Sequence, residues 1–100
     1  MTDMERYTNL VNEKTYDEMD EAEKSFCRRY EADQYLPKIE NLRLKGVPDY
    51  VISAYLKDLY DDYLVEDDTY IADNAGISDE DYCKGSDYYW NEMTENNPLR

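Results

Sequence analysis

The chain has 100 residues, the size of one ordinary domain, and a formal net charge of -14 from 25 Asp and Glu against 11 Lys and Arg. It contains no His, the commonest general base and the commonest metal ligand. A charge of this sign repels phosphate, which argues against direct binding of nucleic acid or an anionic membrane. We therefore expect a protein that is not an enzyme and holds no cofactor or metal.

Its aromatic content favours a folded domain over a disordered chain. High charge with few apolar residues is typical of disorder, but 12 Tyr, one Phe and one Trp recur at helical spacings. We expect a single domain over residues 1–100, with residues 1–14 and 95–100 as candidate flexible ends.

The remaining composition predicts a cytoplasmic protein. No apolar run approaches the ~20 residues of a membrane span, and the first residues lack the pattern of a signal peptide. Cys27 and Cys83 are far apart in sequence, which favours two reduced thiols over a zinc site. A disulfide between them is the alternative.

The first helical signal is a capping box, in which Glu18 follows Thr15 by three residues. A helix should therefore begin near Tyr16. Pro37 lacks an amide proton, so this helix is expected to stop or kink near residue 35 or 36, and a shorter piece continues to Gly46.

The clearest helix starts at Pro48, after a hinge at residues 46–48. Its apolar positions fall on one side of a helical wheel; they are Ile52, Tyr55, Leu56, Leu59, Tyr60, Tyr63 and Leu64. The opposite side, expected to face solvent, carries Ala54, Asp58, Asp61 and Asp62.

Two more segments complete the predicted fold. One runs from Tyr70 through Ile71 to Gly76. The other starts after Ser78 as N-cap, has Asp79, Glu80 and Asp81 in its first turn, and carries Tyr82, Tyr89 and Met93 on its inner side. The sequence predicts an all-α single-domain bundle of about four helices with an acidic outer face.

The corner between these two segments resembles the turn of a helix-turn-helix, in the stretch from Ile71 to Ser78. The following helix would then bring three carboxylates to the phosphates, which would repel them. We interpret the stretch as a helix corner made by Gly76 and Ser78. The carboxylates also lack the spacing and glycine of an EF-hand loop.

From Asp58 to Cys83 the chain carries ten carboxylates and no Lys or Arg. Concentrated like charge destabilises a small domain by self-repulsion, so this segment indicates a basic partner or a solvated acidic face. Tyr and Trp interleaved with it are typical of protein interfaces. The candidate partner-binding residues are Asp58, Asp61, Asp62, Glu66, Asp67, Asp68, Asp73, Asp79, Glu80, Asp81, Tyr63, Tyr70 and Trp90.

This combination of acidic field, Tyr content and missing catalytic groups resembles the small DNA-mimic inhibitors of phages and mobile elements, in charge and composition though not in a motif. The resemblance implies a chain that occupies the basic channel of a CRISPR effector, a restriction enzyme or another nucleic-acid-binding protein, in the host cytoplasm if phage-encoded. Carboxylates from Asp58 to Asp68 would stand where phosphates sit, and Tyr63, Tyr70 and Trp90 would be anchors.

There are two alternative functions, and the first of them also requires a basic partner. An immunity or antitoxin-like protein would neutralise a basic nuclease from a surface beside its active site. An accessory subunit of a larger assembly would use an apolar patch, or the less acidic surface of Lys24, Arg28, Arg29 and Lys38. The sequence is compatible with a monomer or a small homo-oligomer.

Overall fold

The computed structural model describes residues 2–92 and 97–99, and every regular element within them is helical. The α-helices are α1 (Asp3–Glu13), α2 (Glu21–Leu44), α3 (Asp49–Asp61), α4 (Asp68–Asn74) and α5 (Asp79–Glu92), with a 3-10 turn at Tyr16–Glu18. The predicted all-α class is confirmed, with five α-helices in place of about four. The additional helix, α1, lies in the stretch that the sequence suggested as a flexible end.

Two successive capping boxes precede α2, and the second of them sets where it starts. The predicted box is present, since the Glu18 carboxylate accepts from the Thr15 amide and hydroxyl at 3.1 and 2.9 Å, but it starts only the 3-10 turn. A second box, in which Asp20 and Glu23 each accept from the other's amide, starts α2. The expected helix start near Tyr16 is thus corrected to Glu21.

Pro37 does not end α2, which runs unbroken from Glu21 to Leu44. A proline inside a helix removes one backbone hydrogen bond and costs about 3 kcal/mol. Here it lies on the exposed side, where water can reach the carbonyl left free. Ala32, Ile39 and Leu42 are buried on both sides of it, and this continuous burial outweighs the local penalty.

The buried side chains form two clusters. The smaller one contains Met19, Phe26 and Cys27, with α1 packed against it through Tyr7 and Leu10. The larger one joins the second half of α2 to α3, α4 and the segments that follow α3 and α4. Its fully buried members include Ile39, Ile52, Leu56, Leu59 and Ile71.

α3 is the central helix and is buried on more than one side. Ala54, which was expected to face solvent, is 0% exposed, and the neighbouring Ser53 is buried as well. The prediction failed because α5 packs closely along this side of α3. Gly85 permits this approach, since a Cβ there would lie 2.6 Å from both the Ser53 Cβ and the Tyr50 carbonyl oxygen.

The connections after α2 and α4 agree with their sequence signals. Gly46 and Gly76 both adopt positive φ, at 88° and 76°, as glycines that end helices do. The Ser78 hydroxyl accepts from the Asp81 amide at the start of α5, so the Ile71–Ser78 stretch is a capped helix corner.

The C-terminal residues differ from the expected frayed end. Leu99 is 0% exposed within the larger cluster, and the Asn97 side chain donates to Asp58 at 3.0 Å. The side-chain oxygen of Asn97 also accepts a hydrogen bond from the Leu99 backbone amide at 2.9 Å. Met93, Glu95, Asn96 and Arg100, which the sequence analysis also addressed, lie outside the described residues.

Candidate protein-binding surface

Five of the ten carboxylates between residues 58 and 83 are exposed to solvent. They lie at the end of α3, on α4 and in the first turn of α5; they are Asp61, Asp62, Asp73, Asp79 and Glu80. This part of the predicted site is accessible to solvent at the surface.

The other five are half-buried or buried, and four of them hold the fold through hydrogen bonds of their carboxylates. Asp67 caps α4 by accepting from the Tyr70 amide at 2.9 Å. Asp68 is buried and accepts from the Tyr82 hydroxyl at 2.9 Å. Asp81 interacts with Ser78 at the start of α5. Sequence alone could not separate these carboxylates from the exposed ones, because capping and surface positions have the same residue types.

Asp58 and Glu66 complete this second set. Asp58 is half-buried and accepts from the Asn97 side chain near the C-terminus. Glu66 is half-buried after α3, and its backbone amide donates to the Glu31 carboxylate of α2. The Asp58 carboxylate therefore ties α3 to the C-terminal residues, whereas Glu66 makes its contact through the backbone and its carboxylate lines a cleft.

The three predicted anchors differ in exposure. Tyr63 is 92% exposed and has a positive φ of 62°, which projects its ring from the end of α3. Trp90 is 73% exposed on α5. Tyr70 is half-buried on α4, with the Arg28 guanidinium 5.7 Å from its ring centroid. Tyr63 and Trp90 have the free area that an interface anchor needs.

Trp90 belongs to an aromatic cluster whose contacts with α3 the sequence did not predict. The Tyr89 ring meets the Trp90 ring edge-on at 5.3 Å, and the Lys57 ammonium lies 6.0 Å from both rings. A hydrogen bond to the Asp61 carboxylate raises the pKa of Tyr89 to about 12. This arrangement joins α3 to α5 and brings Asp61 and Trp90, both predicted site residues, to one place.

A cleft lies between the α1–α2 connection and the end of α3. Its volume is about 730 Å³, and Asp61, Tyr63 and Glu66 of the predicted site line it. The opposite wall of the cleft, formed by the α1–α2 connection, contains Asp17 and Glu18, which were not among the predicted site residues. Their signal was present, since Tyr16-Asp17-Glu18 repeats the tyrosine-carboxylate pattern of residues 60–63.

The less acidic surface on α2 is engaged with tyrosine rings. Lys24 lies over Tyr16 at 5.3 Å and Lys38 over Tyr35 at 5.0 Å. Arg28 donates to the Tyr16 hydroxyl at 3.0 Å. Arg29 is exposed. These cations are therefore partly used within the fold.

Neither cysteine is bridged, and their surroundings differ. Cys27 is buried, which raises the pKa of its thiol to about 11, whereas Cys83 is exposed on α5. Among the described residues, no three carboxylate or cysteine side chains are placed to hold a metal ion together.

Comparison with known proteins identifies no relative of this chain. No protein-family model, no curated protein and no solved structure matches it.

Proposed function

We propose that the chain inhibits a nucleic-acid-binding protein by occupying its basic channel with an acidic, DNA-like surface. The observation that carries the proposal is the stretch of ten carboxylates without a Lys or Arg, five of them exposed at the end of α3, on α4 and at the start of α5. A basic channel selected for phosphates would attract this surface for the same reason.

The charged and the aromatic residues have different roles in the proposed binding. The exposed carboxylates raise the rate of encounter with a basic protein, an effect that salt weakens. Tyr63 and Trp90 add apolar area with few rotatable bonds, which slows dissociation. Asp58, Asp67 and Asp68 act mainly through the fold, by holding the C-terminal residues and α4 in place.

The target class follows from the sign of the charge. CRISPR effectors and restriction enzymes both bind nucleic acid in basic channels, and a mobile element gains from blocking either. We place the protein with its target in the host cytoplasm. None of the helices in the described residues has the length and apolar character needed to cross a membrane.

A capture experiment tests the proposal. The tagged chain is incubated with bacterial lysate, alone and with excess duplex DNA, and compared with the variant Asp62→Asn/Asp73→Asn/Asp79→Asn/Glu80→Gln. The matched control, Asp3→Asn/Asp33→Asn/Glu5→Gln/Glu40→Gln, removes the same charge from exposed positions of α1 and α2. We expect a nucleic-acid-binding protein that the wild type and the control capture, that the variant loses and that DNA displaces. Capture that survives both the variant and DNA would contradict the proposal.

The second candidate is an immunity-like protein that covers a basic nuclease beside its active site. It is favoured by the exposed Trp90 packed on the half-buried Tyr89, since such a pair suits a compact protein interface better than an imitation of phosphates. The two functions differ in one outcome. An inhibited target that still binds its nucleic acid identifies the immunity-like mode, because a mimic excludes the nucleic acid.

A further inference from the structure

The cleft beside the end of α3 has two walls that are distant in sequence. One is the connection from α1 to α2, and the other is the end of α3 with the residues that follow it. Its volume of about 730 Å³ exceeds what one side chain fills. The cleft is therefore large enough to receive a side chain together with part of its backbone.

The charge inside the cleft is negative and largely uncompensated. Lys14 is the basic residue among those that line it, and its ammonium already bonds the Glu23 carboxylate at 2.9 and 3.1 Å. Among the described residues, neither Asp17 nor Glu66 has a basic group within ion-pair distance. The two opposite walls thus carry carboxylates that no cation of the described chain neutralises.

Asp17 and Glu66 also interact with each other. Burial raises the pKa of Glu66, and the negative charge of Asp17 raises it further. A cation placed between the two carboxylates would relieve this repulsion. Its attraction to the Glu66 carboxylate would also offset the solvation free energy that this group loses on burial. The cleft is therefore more favourable for a cation than an isolated surface carboxylate is.

Tyrosine rings supply the rest of the lining. Tyr60 and Tyr63 are both exposed at the end of α3, and Tyr16 lies on the opposite wall. Aromatic faces attract cations within about 6 Å, and a planar guanidinium can also stack on them. Since no three ligands converge on a metal position among the described residues, the lining suits an organic cation.

We propose that this cleft binds an arginine side chain of the partner protein, with the guanidinium between Asp17 and Glu66 and against the Tyr63 ring. The inference rests on the proposed function, because it names the group of a basic partner that the surface would recognise. Arginine is preferred to lysine because a planar fork of donors can bond two carboxylates and stack on an aromatic ring at once.

A peptide titration tests this directly. The probe is the blocked peptide Gly-Gly-Arg-Gly-Gly, and the matched probe carries neutral citrulline, which has nearly the same shape, in place of arginine. Binding to the ¹⁵N-labelled chain is followed by backbone amide shifts up to millimolar peptide. We expect shifts confined to residues 13–18 and 60–66 with the arginine peptide and none with the citrulline peptide.

Two variants locate the site. Asp17→Asn/Glu66→Gln should weaken binding by about tenfold, as the loss of charge-assisted hydrogen bonds predicts. The control Asp33→Asn/Glu40→Gln removes the same charge from exposed positions of α2 outside the cleft and should change binding by less than about twofold. Should the first variant fail to fold, Tyr63→Asn serves instead. Asn tolerates positive φ, and loss of the ring should weaken binding by about threefold.

Several outcomes would overturn the inference. They are shifts spread over all acidic segments, equal weakening by the cleft variant and the control, equal binding of the citrulline peptide, or no binding at millimolar concentration. None of these bears on whether DNA displaces the chain from a captured target. Conversely, arginine binding in the cleft would stand even if the captured target did not bind nucleic acid, so the two proposals fail separately.

Discussion

The Tyr7 hydroxyl donates a 2.8 Å hydrogen bond to the carboxylate of Glu31, a residue that is only 2% exposed. The second oxygen of that carboxylate accepts from the Glu66 backbone amide. One side chain of α2 therefore joins α1 to the segment after α3 that lines the cleft. Burial raises the pKa of Glu31 to about 7, the charges of Glu66 and Asp67 add to the rise, and the two hydrogen bonds partly oppose it.

Glu31 should make the stability of the protein depend on pH near neutrality. Its pKa is about 7 when folded against an ordinary value of 4.5, so the folded chain binds more protons between these values and stability falls as pH rises through them. At 1.36 kcal/mol per pKa unit, the loss is about 3 kcal/mol at most. Urea unfolding at pH 5 and pH 8 measures it.

The variant Glu31→Gln isolates this effect. The glutamine oxygen can accept from the Glu66 amide while its NH2 group donates to the Tyr7 hydroxyl, which becomes the acceptor, so both contacts persist without charge. The variant should therefore exceed the wild type in stability at pH 8 and match it near pH 5. Glu40→Gln, on the exposed side of the same helix, should follow the wild-type profile with only a small offset. Parallel profiles for wild type and Glu31→Gln would show that the buried carboxylate does not control this dependence.

Tyr82→Phe should destabilise the fold by about 1–3 kcal/mol, because it leaves the buried Asp68 carboxylate without the hydroxyl that donates to it. Thermal unfolding measures the change. Tyr63→Phe, at an almost fully exposed ring, is the control and should be neutral. Equal stability of the two variants would show that the hydrogen bond from Tyr82 to Asp68 does not stabilise the fold.

Gly85→Ala should destabilise the protein by about 1–3 kcal/mol despite the better helix propensity of alanine. The added Cβ would lie 2.6 Å from Ser53 and from the Tyr50 backbone, which forces α3 and α5 apart. Cys83→Ala, at an exposed position of the same helix, is the control and should be neutral or slightly stabilising. A gain in stability at Gly85 would contradict the close packing of the two helices.

Leu99→Ala should cost about 2–5 kcal/mol in the free energy of unfolding, the range for a fully buried leucine. Pro98→Ala changes the exposed neighbour and should have little effect. Chemical denaturation compares the two. If neither variant alters the midpoint, the C-terminal residues do not contribute to the core.

The helical class could be predicted because apolar spacing and capping residues are local properties of the sequence. The predicted stop or kink before Pro37 was wrong because the local cost of the proline is outweighed by burial of Ile39 and Leu42. That burial depends on the rest of the fold. The predicted solvent exposure of Ala54 was wrong because a helical wheel describes one helix alone and cannot show that α5 packs on the other side of α3.

The candidate site was predictable as charge and only partly as geometry. The acidic segment follows from composition. The exposure of Tyr63 does not, because the helical wheel placed this residue on the apolar side of its helix, whereas α3 ends at Asp61 and Tyr63 is 92% exposed. The cleft does not follow from composition, because Asp17 and Glu66 are 49 positions apart in sequence and come close only when folding places the α1–α2 connection opposite the end of α3.

Displacement of DNA from the captured target is the measurement that tests the central claim most directly. A fluorescent duplex is bound to the purified target, and its anisotropy is followed as the chain is added at low and high salt. The account predicts release of the duplex, with an apparent affinity of the chain that falls steeply as salt rises. Loss of the target's activity while the duplex stays bound would contradict it.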